Sequence, residues 1–123
     1  MNGEELELFV QLEKLIYNNR MDYRLFSQVS LGEIIYSNDR SAFYCINSKR
    51  CDFLVTDKFG EALVVIEYHG SGHFQGNSPY RDEVKRLALK KASIPTVEVL
   101  FGYNWIDVKN DLKKELGHSF ALI

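Results

Sequence analysis

Asp52 and Glu67 are the residues of this chain whose types and spacing point most directly to chemistry. Asp52 opens the strand-like run Cys51-Asp52-Phe53-Leu54-Val55-Thr56, and Glu67 lies near the end of Ala62-Leu63-Val64-Val65-Ile66-Glu67-Tyr68. The turn residues Asp57-Lys58-Phe59-Gly60 stand between the two runs, so an antiparallel hairpin is expected. The start of one strand then lies beside the end of the other, and both carboxylates come to one end of the sheet. Carboxylates that close repel each other unless a proton or a cation sits between them. An oxygen-only pair of this kind suits Mg2+ or Mn2+, with water and a substrate phosphate completing the shell. Such an ion activates water and stabilises the charge developing on a phosphodiester. Either residue alone is also what a solvated strand end looks like. Glu67, however, directly follows Leu63-Val64-Val65-Ile66, where burying a lone charge is costly. The pair is more informative than its members.

A glycine-rich stretch follows, His69-Gly70-Ser71-Gly72-His73-Phe74-Gln75-Gly76-Asn77. Zinc would need two ligands beyond His69 and His73, and the cysteines stand at no ligand spacing. His73 reads either as a general acid or phosphate-orienting group, or as a loop histidine bonded to its own backbone. Beyond the loop, Arg81, Lys85, Arg86, Lys90 and Lys91 form the densest basic stretch of the chain. They would place positive charge where a substrate backbone passes, and they equally describe a solvated helix face. Asp82 reads as an i,i+4 partner of Arg86 or as a helix cap.

The elements that must hold these residues are legible from apolar periodicity. A first helix is capped by Asn2, with Glu5 three residues on, and carries Leu6, Phe9, Val10 and Ile16, widened by Leu12 and Leu15. Asn18-Asn19 ends it. Tyr23 to Ser30 reads as a strand with Tyr23, Leu25 and Val29 at odd positions, while Leu31 to Tyr36 fits either its continuation or a short helical turn. Residues 37–41 read as a loop. After the hairpin, whose second strand is apolar on both faces and so belongs mid-sheet, Ser78-Pro79 opens a helix with Ser as cap and Pro at its first position. Its apolar stripe is Val84, Leu87, Ala88 and Ala92, and Ser93-Ile94-Pro95 breaks it. Thr96 to Phe101 is a further strand. Asn104 caps a last helix bearing Trp105, Ile106, Val108, Leu112 and Leu116, and Gly117 ends it. Phe101, Tyr103 and Trp105 are expected in the core. A strand, a crossover helix and a returning strand make a right-handed parallel pair, so a mixed sheet between helices is the expected architecture.

The chain has 123 residues, 46% of them hydrophobic and 26% charged, which fits one soluble domain with a sizeable core. The acidic Met1-Asn2-Gly3-Glu4-Glu5 does not read as a secretory signal, and no run is long and apolar enough to span a membrane. Cys45 and Cys51 read as free thiols in a reducing compartment, and the expected location is the cytoplasm. The net charge of −2 argues against tight autonomous binding of duplex DNA, which usually draws on a basic excess. Contact with nucleic acid would have to come from a local patch, a bound cation or a partner.

Taken in order, Cys51-Asp52-Phe53-Leu54-Val55, Leu63-Val64-Val65-Ile66-Glu67-Tyr68-His69-Gly70, His73, Arg81-Asp82-x-x-Lys85 and Ile94-Pro95-x-Val97-x-Val99 resemble the PD-(D/E)xK, or restriction-endonuclease-like, nuclease superfamily. Within it the chain is most similar to a family of uncharacterised bacterial domains with an IExDGxxH…RDxxK…aGIP signature. It is more distantly similar to the very-short-patch-repair endonucleases. The resemblance implies a single α/β domain over residues 1–123. Its restriction-endonuclease-like core would be a mixed sheet of about four strands flanked by helices, in the order α-β-β-β-α-β-α. It also implies an Mg2+- or Mn2+-dependent endonuclease that hydrolyses phosphodiester bonds, with DNA as the expected substrate. Asp52 takes the place of the superfamily's first metal-binding Asp, Glu67 that of its (D/E), and the Tyr68 backbone carbonyl becomes a further ligand. Cys51 stands where the superfamily has proline. His69 stands where the lysine that orients the attacking water is expected, and Lys85 on the next helix is the alternative donor of that charge. His73 would assist, Asp82 and Glu13 (by its sequence alone a solvated helix residue) would be accessory carboxylates, and Arg81, Arg86, Lys90 and Lys91 would contact nucleic acid. If neither His69 nor Lys85 does the lysine's work, the domain binds or assembles without cutting. Homodimers or larger nucleic-acid-processing complexes also fit the resemblance.

Overall fold

A computed structural model of the chain describes residues 3–18, 22–35, 49–70 and 79–117, with 79–82 as backbone alone. The elements run α1 (Gly3–Tyr17), β1 (Arg24–Ser30), α2 (Leu31–Ile34), β2 (Arg50–Thr56), β3 (Ala62–His69), α3 (Pro79–Lys91), β4 (Thr96–Leu100) and α4 (Trp105–Leu116). The strands form one sheet in the order β1-β2-β3-β4. The pairs β1/β2 and β2/β3 are antiparallel, and β3/β4 is parallel across the α3 crossover. This is the expected mixed α/β sheet flanked by helices, with the expected hairpin and parallel return. No described helix is long and apolar enough to cross a membrane.

Local chemistry explains the joins. Asp57 Oδ1 accepts the N–H groups of Phe59 (2.8 Å) and Glu61 (3.0 Å), closing the β2–β3 turn. Gly60 there adopts φ +88°, a conformation costly for any residue with a Cβ. The ambiguous stretch after β1 is a helical turn, capped by the Ser30 hydroxyl accepting from Gly32 N–H. Asn104 caps α4 by accepting from Ile106 N–H at 2.9 Å, and Gly117 at φ +87° ends it. The Asn2 cap, the loop at 37–41 and Ser78 lie outside the described residues.

Two cores sandwich the sheet. On one face Leu8, Leu12 and Ile16 of α1 and Val108 and Leu112 of α4 pack against Phe53, Val55, Val64 and Ile66. On the other, Leu31 and Leu89 cover Leu54 and Val65. Several details differ from the periodicity reading. In α1 the buried residues are Leu8, Leu12, Leu15 and Ile16, whereas Leu6 is 52% exposed and Val10 40%. The apolar residues of α1 wrap more than half its circumference, and Leu6 and Leu8 stand about 200° apart; packing against the sheet selects the Leu8 side. In α3 it is Leu89 that is buried, while Leu87 and, just past the helix end, Ala92 are exposed. Phe101 and Ile106 are also exposed, although Tyr103 and Trp105 do pack on the core.

The choice of α1 face has a direct test in urea unfolding. Leu12→Ala should cost about 2–5 kcal/mol, the range for an emptied leucine site. Leu6→Ala should stay within about 0.5 kcal/mol. Equal losses would place α1 in a different rotation.

Candidate functional site

The β2–β3 ladder pairs Phe53 with Ile66 and then opens. Continued in the same register it would set Tyr68 opposite Cys51. Instead Tyr68 N–H donates to Asp52 Oδ2 at 2.7 Å, and Asp52 N–H donates to Glu67 Oε2 at 3.3 Å. The two carboxylates thus fill the fork where the strands part, each holding a backbone N–H that the ladder no longer serves. The Tyr68 carbonyl points to this same edge, because alternate residues of β3 serve opposite neighbours: Val65 N–H and His69 carbonyl bond toward the β4 side, leaving Tyr68 to face β2. The backbone thus brings Asp52 and Glu67 together at one end of the sheet, with the Tyr68 N–H on Asp52.

Glu67 is only 5% exposed. Burial pushes its carboxyl up to about 7, and the neighbouring Asp52 adds to the rise, while Lys85 works against it. Lys85 Nζ lies 2.8 Å from Glu67 Oε1 and also donates to the Arg50 carbonyl at 3.0 Å. The helix aims it there. Leu89 is buried beside Val65, and Lys85 sits one turn earlier on the same face of α3. One four-residue helical step of about 6 Å matches the two-residue strand step of about 6.6 Å from Val65 to Glu67. Packing Leu89 on Val65 thus delivers Lys85 to Glu67. The ammonium is thus the close partner of Oε1, an oxygen otherwise shut away from solvent.

His69, the other candidate for the lysine's place, turns elsewhere. Its Nε2 lies 3.8 Å from Glu98 Oε1. Glu98 stands level with Glu67 across the parallel β3/β4 pair. Asp52, Glu67, His69 and Lys85 all open into a cleft of about 890 Å3, walled by Arg86 and Lys90 of α3 and by Glu98 of β4. Arg86 pairs with Glu83 at 3.2 Å. Lys91 is exposed and not part of the cleft wall. The side chains of Arg81 and Asp82, and the whole of His73, lie outside the described residues.

On α1 the carboxyl that feels Asp52 is Glu5, held above its ordinary range first by burial and then by Asp52's charge. Glu13 is half-buried about 12 Å further along the helix, eight residues on. The helix start is tied to the site by Glu4, whose carboxylate accepts the Tyr68 hydroxyl and, at 3.1 Å, Gly102 N–H. Sequence reasoning also missed Gln28, whose Nε2 lies 3.4 Å from Asp52 Oδ1. Glu98 was legible only as a lone acid in an alternating strand, and Gln28 gave no signal, because the register of β1 on β2 is set across a long connection. Cys51 is buried beside these acids, and burial followed by the Glu67 charge pushes its thiol up to about 12, so it is an inert thiol.

With this geometry in place, the chain is placed among known proteins by sequence. It belongs to the family described as "Protein of unknown function (DUF2726)", whose model matches residues 1–116. It is similar to an "Uncharacterized protein" of Haemophilus influenzae, 51% identical over 98 residues, which are 80% of this chain and 52% of that protein. It is also similar to "Uncharacterized protein y4bI" of Sinorhizobium fredii, 38% identical over 102 residues, 83% of this chain and 74% of that one. The chain thus spans about half the length of the Haemophilus relative. No solved structure matches it.

The raised Glu67 carboxyl sets a pH dependence of folding. The folded state holds this proton more tightly than the unfolded chain, whose glutamate ionises near 4.5. Its contribution to stability is therefore complete below that pH and is lost as pH rises toward about 7. In chelator, the stability of Glu67→Gln relative to the wild type should climb by a few kcal/mol between those limits. A constant difference across the window would remove Glu67 as the source.

Proposed function

We propose that this domain is a metal-dependent nuclease of the restriction-endonuclease-like kind, hydrolysing phosphodiester bonds, with DNA as substrate. The observation that carries the reading is the fork itself: two carboxylates linked through backbone N–H groups at one end of the sheet, with a lysine 2.8 Å from the buried acid. The donor set fits a hard divalent cation. All donors are oxygens, Glu67 Oε1 is buried against the Lys85 ammonium, and each Asp52 oxygen has a lone pair beyond its single donor. Among the described residues no three ligating side chains converge. Two carboxylates and a carbonyl, completed by water and substrate phosphate, is the kind of shell Mg2+ accepts and Mn2+ shares.

When bound, the ion supplies Lewis acidity toward a phosphoryl oxygen and makes water more acidic. The protein's own groups do the rest. Asp52, Glu67 and the Tyr68 carbonyl would hold the ion. Lys85, rather than His69, stands beside the buried carboxylate, where its ammonium can orient the attacking water and offset negative charge in the transition state. Arg86 and Lys90 on the cleft wall supply positive charge along the path of a phosphate backbone.

One feature favours a second reading, a module that binds nucleic acid or assembles with partners without cutting: the Lys85–Glu67 ion pair already compensates the buried acid without a cation. Cleavage assays separate the two. With Mn2+ present, the wild type should cut plasmid or single-stranded DNA. Asp52→Asn and Lys85→Ala should each lose at least about 100-fold, the scale of a lost charge-positioning or proton-transfer group. His69→Ala should stay within about threefold, well under the effect of a lost catalytic group. Inertness toward every substrate, together with no divalent-dependent rise in melting temperature, would favour the binding module. Loss on His69→Ala but not on Lys85→Ala would reverse the lysine assignment.

A further inference from the structure

Gln28 occupies a backbone conformation that its place in a strand gives no reason to expect. Its φ is +54°. Asp22 and Ser93, the other non-glycine residues with positive φ among those described, lie in connections between elements, whereas Gln28 lies inside β1. The register does not shift around it: Ser27 pairs with Phe53 and Val29 with Cys51. No residue has been inserted, so this is a single twisted residue, directly opposite Asp52. A non-glycine side chain in this region is disfavoured, and such outliers persist only where the surroundings over-determine them.

The surroundings here are specific. Arg50 Nη1 donates to the Gln28 carbonyl at 2.8 Å, fixing the turned peptide. The Arg50 carbonyl in turn accepts from Lys85 Nζ. The Gln28 side-chain amide lies 3.4 Å from Asp52 Oδ1, on the oxygen that Tyr68 N–H does not use. One donor on each oxygen fixes the plane of the Asp52 carboxylate and leaves a lone pair on both for a ligand.

We infer that Gln28 is a positioning residue for Asp52: its left-handed backbone is held so that its amide orients the carboxylate toward the cation that Asp52 and Glu67 would share. This rests on the metal reading above and adds to it a residue outside the hairpin. Groups that orient a metal-binding carboxylate typically change metal affinity by 10- to 100-fold when removed. A residue held in strain for such a purpose stabilises function at the expense of the fold.

Gln28→Gly separates these effects, because glycine adopts the same backbone freely and removes the amide. Its melting temperature without metal should equal or exceed that of the wild type, and its affinity for Mn2+, titrated by divalent-dependent stabilisation, should fall at least about tenfold. Gln28→Asn, which tolerates the left-handed region but holds its amide one methylene short, should lose affinity in parallel and keeps the test readable if the glycine variant does not fold. Wild-type Mn2+ affinity in both variants would overturn the role of Gln28 and leave the metal site standing. Absence of Mn2+ binding by the wild type itself would overturn the site and this inference together.

Discussion

A carboxylate held inside an apolar sheet is the constraint on which the site depends. Glu67 lies on the inner strand β3, next to Ile66 and two residues from Val65, where water solvates its charge poorly. The chain meets that cost in three ways: the Asp52 backbone N–H on one oxygen, the Lys85 ammonium beside the other, and a proton held more firmly than in water. Each of these draws in another element. Asp52 requires that β2 part from β3 at that level. Lys85 requires that α3 lie across the sheet with Leu89 seated on Val65. A carboxylate with no task would more simply be replaced by an apolar residue, since buried ion pairs seldom stabilise a fold better than well-packed hydrophobic side chains.

The remaining elements read as supports for that fork. The hairpin turn, fixed by Asp57 and Gly60, sets which residues of β2 and β3 face each other. The crossover through α3 makes β4 parallel to β3, which brings Glu98 level with Glu67 and gives His69 a partner other than the buried acid. Glu4 ties the start of α1 to the Tyr68 hydroxyl on the far face of the same strand, so the site is braced from both sides of the sheet. The basic side chains Lys85, Arg86 and Lys90 reach the cleft wall because they flank Leu89, the residue that seats α3 on the sheet. A chain with net charge −2 can in this way present local positive charge without a global excess.

How much of this was legible in the sequence differs by the range of the interaction that decides it. The hairpin, the crossover and the meeting of Asp52 with Glu67 follow from local patterns: apolar runs, a short turn and strand alternation. The buried side of α1 was not legible, because Leu6, Leu8, Phe9, Val10 and Leu12 wrap so much of the helix that only the sheet decides among them. The same holds for Leu87 against Leu89 in α3. His69 and Lys85 could not be separated by spacing alone, since the first sits at the expected strand position and the second reaches it through tertiary packing. Gln28 meets Asp52 through a register fixed across residues 31–49, and no local pattern encodes it.

The central claim is that Asp52, Glu67 and the Tyr68 carbonyl together form a seat for a hard divalent cation. Crystals grown with Mn2+ and measured at its absorption edge test this without reference to any substrate. The account predicts an anomalous peak within coordination distance of all three groups, with the Lys85 ammonium still beside Glu67 at the rim of the cleft. A fully ordered site showing no peak at saturating Mn2+, or a peak bound elsewhere on the protein, would contradict it.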